Sequence, residues 1–380
     1  MNKINSRQSI ELGDILREWK SSYPGKLNKE QHKAIKSIVS CRTKELGGHK
    51  KECNQCGFTQ QAYNSCRNRH CPKCQFVKQK QWVDKLAGNL VPGKYFHVVF
   101  TLPHEVLPLV ANNKRECYTI LFQASSQALL KAAGNINFLG AQAGAVSILH
   151  TWSQTLLYHP HVHMIVPAGG LSEDGMEWKP SKKKFFLPAA VLSKLFRGIM
   201  VRKLEEALEN GSIKLPESIP CFSGLKTQLY IKRWNVYLKK AFGGVNSVLN
   251  YLGQYTHRVA ISNSRLVSLA GGKVSFRYKD NKANGKIKVM ELDANEFIRR
   301  FLQHILPENF YKIRYIGILA PVNAQAKKAQ CIALIGATIH MPFLEGLSAI
   351  DVVESIVMPD ILSCPKCKKG RLIYKNRGVD

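Results

Sequence analysis

Three histidines stand at alternate positions of one apolar stretch, Tyr158-His159-Pro160-His161-Val162-His163-Met164-Ile165-Val166. In a strand alternate side chains share a face, so His161 and His163 point the same way while Val162 and Met164 point into a core. Two imidazoles then converge on one divalent cation, which with open coordination positions can polarise a phosphate oxygen. His159 shares their parity, but Pro160 cannot donate to a ladder, so the strand is expected to begin near it with His159 at the sheet edge.

Five of the 11 cysteines fall between Cys53 and Cys74. Cys53 and Cys56 form one C-x2-C pair and Cys71 and Cys74 another, 14 residues on. Two such pairs complete a tetrahedral zinc site, and a segment this poor in large aliphatic residues needs one to hold its shape. Cys41, His49, Cys66 and His70 are candidates for a second zinc. Cys364 and Cys367, in SCPKCKKG, are a half-site whose remaining ligands the spacing does not reveal. Clustering of this kind reads as metal binding in a reducing compartment rather than as a disulfide framework.

Tyr251 and Tyr255 are four residues apart in VLNYLGQYTHR, which places them one above the other on a helix whose apolar stripe is Val245, Val248, Leu249 and Leu252. A phenolic oxygen attacking a phosphodiester conserves the energy of the broken linkage in a phosphotyrosine. Read alone, the pair fits packing residues as well as nucleophiles; it gains chemical meaning if its helix faces the histidines.

These side chains need elements to hold them. IELGDILREW and QHKAIKSIV are short amphipathic helices separated by YPG; KYFHVVFTL, GAVSILHTW and HVHMIVPAGG read as strands, and RECYTILFQASSQALLKAAG as a long helix. A further helix opens near Pro188 and ends at Asn210 and Gly211. RWNVYLKK is a strand, SLAGGKVSFRYKD with KANGKIKVMEL a hairpin, and DANEFIRRFLQHIL a helix with Asp293 as N-cap and Glu296 three residues on. The order predicts an α+β fold. A helical lead-in and zinc-binding DNA-recognition domain is expected over residues 1–90, a catalytic domain over 91–320, and a C-terminal helix with a zinc knuckle over 321–380.

The 380 residues carry 56 lysines and arginines against 26 acidic residues, a formal net charge of +30 with pI about 9.8. That excess calls for a polyanion, and with no apolar run of transmembrane length and no signal peptide at MNKINSRQSIELGD, nucleic acid in the cytoplasm is the expected partner and place. RNRHCPKCQFVKQK concentrates the charge, making Arg67, Arg69, Lys73 and Lys78 candidate DNA contacts, together with Arg258. No phosphate-cradling glycine loop occurs, so no nucleotide cofactor is expected.

With those residues quoted, the chain resembles the HUH-endonuclease transposases of the insertion sequence ninety-one type, the two-tyrosine rolling-circle class. CRTKELGGHKKECNQCG, YNSCRNRHCPKCQ, YFHVVFTLPHE, HPHVHMIVPAGG, YLGQYTHRVAISNSRL, FRYKD and ANEFIRRFLQHILP carry the resemblance across residues 30 to 320. It implies a central antiparallel sheet with helices, a nuclease and strand transferase acting on single-stranded DNA and on hairpins at element ends, and magnesium or manganese at the histidine pair beside structural zinc. His161 and His163 match the family's metal-binding pair, Tyr251 and Tyr255 its two nucleophiles. A third metal ligand is implied, for which Gln254, His257, His159 and His150 are candidates. Two other readings remain open: a plasmid-type replication initiator or relaxase, and a non-enzymatic zinc-ribbon DNA-binding protein.

Overall fold

The computed structural model describes residues 10–181, 187–242, 248–249, 260–280, 283–322, 324–336, 341–356 and 362–374. Tyr251, Gln254, Tyr255, His257 and Arg258 lie outside the described residues. The fold is mixed helix and sheet with antiparallel pairing throughout.

In chain order, α1 (Leu12–Trp19) and α2 (Lys29–Ser40) precede β1 (Gly48–Cys53), β2 (Thr59–Tyr63) and α3 (Phe76–Asn89). Next come β3 (Tyr95–Thr101), α4 (Leu107–Asn112), α5 (Lys114–Gly134), β4 (Gly144–Trp152), β5 (Tyr158–Pro167), β6 (Gly169–Leu171) and β7 (Trp178–Pro180). They are followed by α6 (Ala189–Glu209), α7 (Phe222–Ile231), β8 (Val236–Phe242), β9 (Leu266–Ala270), β10 (Lys273–Asp280) and β11 (Lys286–Asp293). The chain closes with α8 (Ala294–Gln303), β12 (Ile313–Gly317), α9 (Ala324–Ile335), α10 (Ala349–Ile356) and β13 (Leu372–Tyr374).

The central sheet has five strands in the order β12-β4-β5-β3-β8. Strand alternation gives it two faces with different tasks. Phe96, Val98 and Phe100 of β3, Leu149 of β4, and Val162, Met164 and Val166 of β5 bury against α5 and α6. Tyr95, Val146, Ile148 and Ile165 bury on the opposite face, with Leu86 of α3, Leu90 just past its end, Cys331 of α9 and Val248. The histidines of β5 share this second face.

Sequence signals account for the element ends. Pro188 caps α6, and its far end stops at Asn210 with Gly211 at φ +73°, a left-handed position that suits glycine. Asp293 caps α8 by accepting the Asn295 N–H at 2.8 Å, while Glu296 pairs with Arg299 and Arg300 instead of closing a capping box. The expected hairpin is a three-stranded meander, β9-β10-β11. β5 begins at Tyr158, two residues before Pro160. Its pairing with β4 shifts between His150 and Trp152, and its pairing with β3 stops at His161, so the proline occupies a bulge where no ladder hydrogen bond is forfeited.

Contacts cross the three-part division expected from sequence. Leu12, Ile15 and Leu16 of α1 bury with Phe276 of β10 and Phe297, Ile298 and Phe301 of α8. An eight-residue helix cannot build a core of its own, so the lead-in borrows one from residues 260–305. At the other end, β13 pairs with β1 to complete a three-stranded sheet, β13-β1-β2. No helix among the described residues is long and apolar enough to cross a membrane.

Candidate active site

β4 and β5 lie side by side with His150 opposite His161 and Ile148 opposite His163. That register brings three imidazoles together. One ring nitrogen from each of His150, His161 and His163 lies within 4.8 Å of the others. Of the candidates for a third ligand that lie among the described residues, His150 joins the group, whereas the His159 ring stands 5.1 Å from that of His161 but outside it.

Neighbouring groups orient the rings. His161 donates from Nδ1 to the His159 carbonyl at 2.6 Å, which leaves its lone pair on Nε2. Nδ1 of His163 faces Nε2 of His97 at 2.8 Å, and with His163 as donor its Nε2 is the nitrogen a cation would take. His97 has no counterpart in the sequence reading, although its parity with Tyr95 in β3 already placed it on the histidine face. Burial holds the site neutral: it lowers His161 to about 4, pushes His163 well below its ordinary value and lowers His97 to about 4. Neutral imidazoles are the form that ligates a metal, so the donor set fits a divalent cation.

Tyrosines can be sorted on the same sheet. Tyr158 faces the helical side, its hydroxyl 2.8 Å from that of Tyr118, and burial raises its pKa well above the ordinary value. It is not a candidate nucleophile. Tyr237 of β8 lies opposite Val99, which lies opposite His163, and is 60% exposed. Val248, three residues before Tyr251, is fully buried on the histidine face.

The cysteines group differently from their spacing. Cys53 and Cys56 do not meet Cys71 and Cys74; each C-x2-C pair belongs to a separate set. Cys41, Cys66, Cys71 and Cys74 form the first, with Cys41–Cys74 at 3.3 Å and Cys66–Cys74 at 3.6 Å. Cys53, Cys56, Cys364 and Cys367 form the second, with Cys53–Cys367 at 3.7 Å and Cys56–Cys364 at 3.6 Å. A tetrahedron with Zn–S bonds of about 2.3 Å has an S···S edge near 3.8 Å, so both sets fit zinc. In the second, two matched knuckles turn through Gly57 (φ +65°) and Lys368 (φ +57°), with Gln55 N–H directed at the Cys53 sulfur and Gly370 N–H at the Cys367 sulfur.

Neither candidate histidine joins a thiol set. His49 is exposed with its ring edge against Tyr374, and His70 accepts the Leu306 N–H on Nε2 at 3.4 Å. In the first set, hydrogen bonding from Cys41 pulls Cys74 far below the ordinary thiol range and pushes Cys71 far above it. Four crowded sulfurs cannot all carry charge without a cation among them.

The basic run divides as well. Arg67 and Lys78 are exposed. Arg69 instead donates to the Phe310 carbonyl at 2.7 Å, and Lys73 pairs with Glu11 at 2.6 Å with its side chain 16% exposed. Both are withdrawn from the surface that their neighbours present, because the first thiol set turns them toward α1 and the approach to β12.

Residues 12–102 match the family described as "Transposase zinc-binding domain", and residues 144–328 the family described as "Putative transposase". A putative transposase, y4qJ, of Sinorhizobium fredii is 40% identical over 379 residues, covering 97% of this chain and 95% of the relative. The chain belongs to this transposase family. The transposase for insertion sequence element IS801 of Pseudomonas savastanoi pv. phaseolicola is 29% identical over 303 residues, 78% of this transposase and 72% of that one. Among solved structures, a metal-bound conjugative relaxase TrwC in complex with oriT DNA aligns over 61% of this transposase and 95% of its own chain, at 12% identity and a TM-score of 0.24. The family match makes the cysteine-rich module a structural zinc module of a transposase.

Proposed function

We propose that this transposase cuts and rejoins single-stranded DNA at insertion-sequence ends through a 5′-phosphotyrosine, driving rolling-circle-like movement. His150, His161 and His163 hold the cation, and Tyr251 and Tyr255 are the nucleophiles. The observation that carries the reading is the set of three neutral imidazoles on the sheet face where Val248, three residues before Tyr251 in the sequence, is buried.

A magnesium or manganese ion on these nitrogens would polarise a phosphate oxygen and lower the repulsion that a phosphodiester presents to an incoming oxygen. The chain's own residues do the rest. A tyrosine oxygen bonds to phosphorus, the bond from phosphorus to the 3′ oxygen breaks, and the proton given up by the phenol ends on the departing 3′ oxygen, which leaves as a 3′-hydroxyl. The energy of the linkage stays in the phosphotyrosine, so a second 3′-hydroxyl can reverse the step on another strand without ATP. His97 fixes the tautomer of His163, and the His159 carbonyl fixes that of His161. The +30 charge supplies the attraction for single strands and element-end hairpins, in the cytoplasm where the element resides.

Incubating the full chain with single-stranded element-end DNA and manganese should yield a nucleotide-bearing peptide that contains Tyr251 or Tyr255, seen by mass spectrometry. Replacing both with Phe should abolish the adduct while DNA affinity stays within about twofold, and Tyr237→Phe should keep it. An adduct that survives the double replacement refutes the nucleophile assignment. Nicking of a plasmid origin in preference to element ends would favour an initiator or relaxase instead.

A further inference from the structure

A cavity of about 680 Å³ opens between the Cys66–Cys74 knuckle, α2, α3 and the approach to β12. Five lysine and arginine side chains and two carboxylates line it, with four aromatic rings, Trp82, Phe310, Tyr311 and Tyr315. Its volume falls in the roughly 300–1,000 Å³ range of small-ligand sites, which suits a nucleotide and not a base-paired helix.

The walls are built rather than incidental. The Arg67 backbone bonds the Cys74 sulfur at a left-handed turn (φ +55°), so the thiol set itself sends the Arg67 side chain outward to the rim. Arg69 and His70, the next residues of the knuckle, fasten it to Phe310 and Leu306. Across the cavity, Trp82 and Tyr315 are joined by a side-chain hydrogen bond, and Tyr311 stands 78% exposed at the mouth.

Position ties the cavity to the histidines. Ile313 of β12, another lining residue, is opposite Ile148, and Ile148 is opposite His163. Two strand spacings therefore separate the cavity wall from the ligand set along one sheet face, about 10 Å. Trp82, Ile313 and Tyr315 pack on that same face.

We propose that this cavity takes one unpaired nucleotide of the single strand beside the cleavage site, its base on the Trp82, Tyr311 and Tyr315 rings and its phosphate toward Arg67. Stacking on rings accepts any base, and cations track the backbone, which together hold an unpaired strand where a duplex is refused. The zinc module thus acts as one jaw of the DNA site. The inference rests on the proposed action on single-stranded DNA.

The test uses the full-length protein without added divalent ions, and a single-stranded oligonucleotide carrying 5-bromouracil at successive positions. Irradiation should crosslink one position to a peptide holding Trp82, Tyr311 or Tyr315. Arg67→Glu combined with Tyr311→Ala, both at exposed positions, should weaken binding about tenfold or more, and an oligonucleotide abasic at the crosslinked position should lose about as much on the unaltered protein but little on Tyr311→Ala. Crosslinks confined to other peptides, with the double variant binding and nicking as the unaltered protein does, would overturn the inference and leave the nuclease reading intact. Crosslinks at these rings in a protein that never nicks or forms an adduct would support the cavity and overturn the nuclease reading.

Discussion

The histidine group and the two thiol groups are assembled in opposite ways. His150, His161 and His163 come from two adjacent strands, so one antiparallel register brings the three imidazoles together. The thiol groups gather a helix end, loops and, for the second set, a knuckle 308 residues away from Cys56. A site inside a sheet is carried by a core that exists without it, since Val162 and Met164 bury against α5 and α6 whatever the histidines hold. A site made from distant loops must itself supply the closure, because little apolar surface surrounds it: among the described residues, Cys53, Cys364 and Leu372 are the buried members of the small cluster at the second set. Loss of a ligand should therefore silence chemistry at the first and loosen structure at the others.

The largest effect should come from His161→Ala. Metal-dependent nicking should fall about a thousandfold or more, roughly 4 kcal/mol of transition-state stabilisation, while the unfolding midpoint barely moves. A variant that nicks at the unaltered rate would break the contrast on the catalytic side.

Zinc should behave in reverse. The purified protein should hold two zinc ions per chain. Cys71→Ser, fully buried in the core shared by α1, α2 and α8, should release one and cost about 3 kcal/mol or more. Cys367→Ser should release the other and free residues 362–374 to proteolysis, leaving the α1–α2 core in place. If the two variants lose the same ion, the cysteines are grouped wrongly.

Acid should separate the regions next. His304 is buried, with Nε2 at the Leu156 carbonyl and Nδ1 at Thr151, and burial lowers it from 6.5 to about 3. Its folded value lies below its unfolded one, so the unfolded chain binds the extra proton between them. Stability is full above about pH 6.5 and falls towards pH 3 by up to about 1.4 kcal/mol per pH unit. Denaturant midpoints of His304→Asn should be flatter with pH across that window; an unchanged slope would reject the assignment.

The smallest effect concerns the basic run. Lys78→Ala should reduce the slope of log affinity against log salt by about 1, whereas Lys73→Ala should leave the slope alone and cost at most about 1 kcal/mol of stability through its pair with Glu11. Equal salt slopes for the two would mean that Lys73 reaches DNA after all.

The parity of His161 with His163, the pattern of strands and helices around them and the excess of positive charge were legible in the residue order, because alternation along a strand and net charge are properties of the chain alone. That His150 joins this pair was not, since it arrives through the pairing of β4 with β5. Nor was the grouping of Cys53 and Cys56 with Cys364 and Cys367, or the withdrawal of Arg69 and Lys73 from a run that reads as uniformly exposed. Local spacing reports what a backbone can present; partners brought together over hundreds of residues are chosen by how sheets and cores close, which only the folded chain decides.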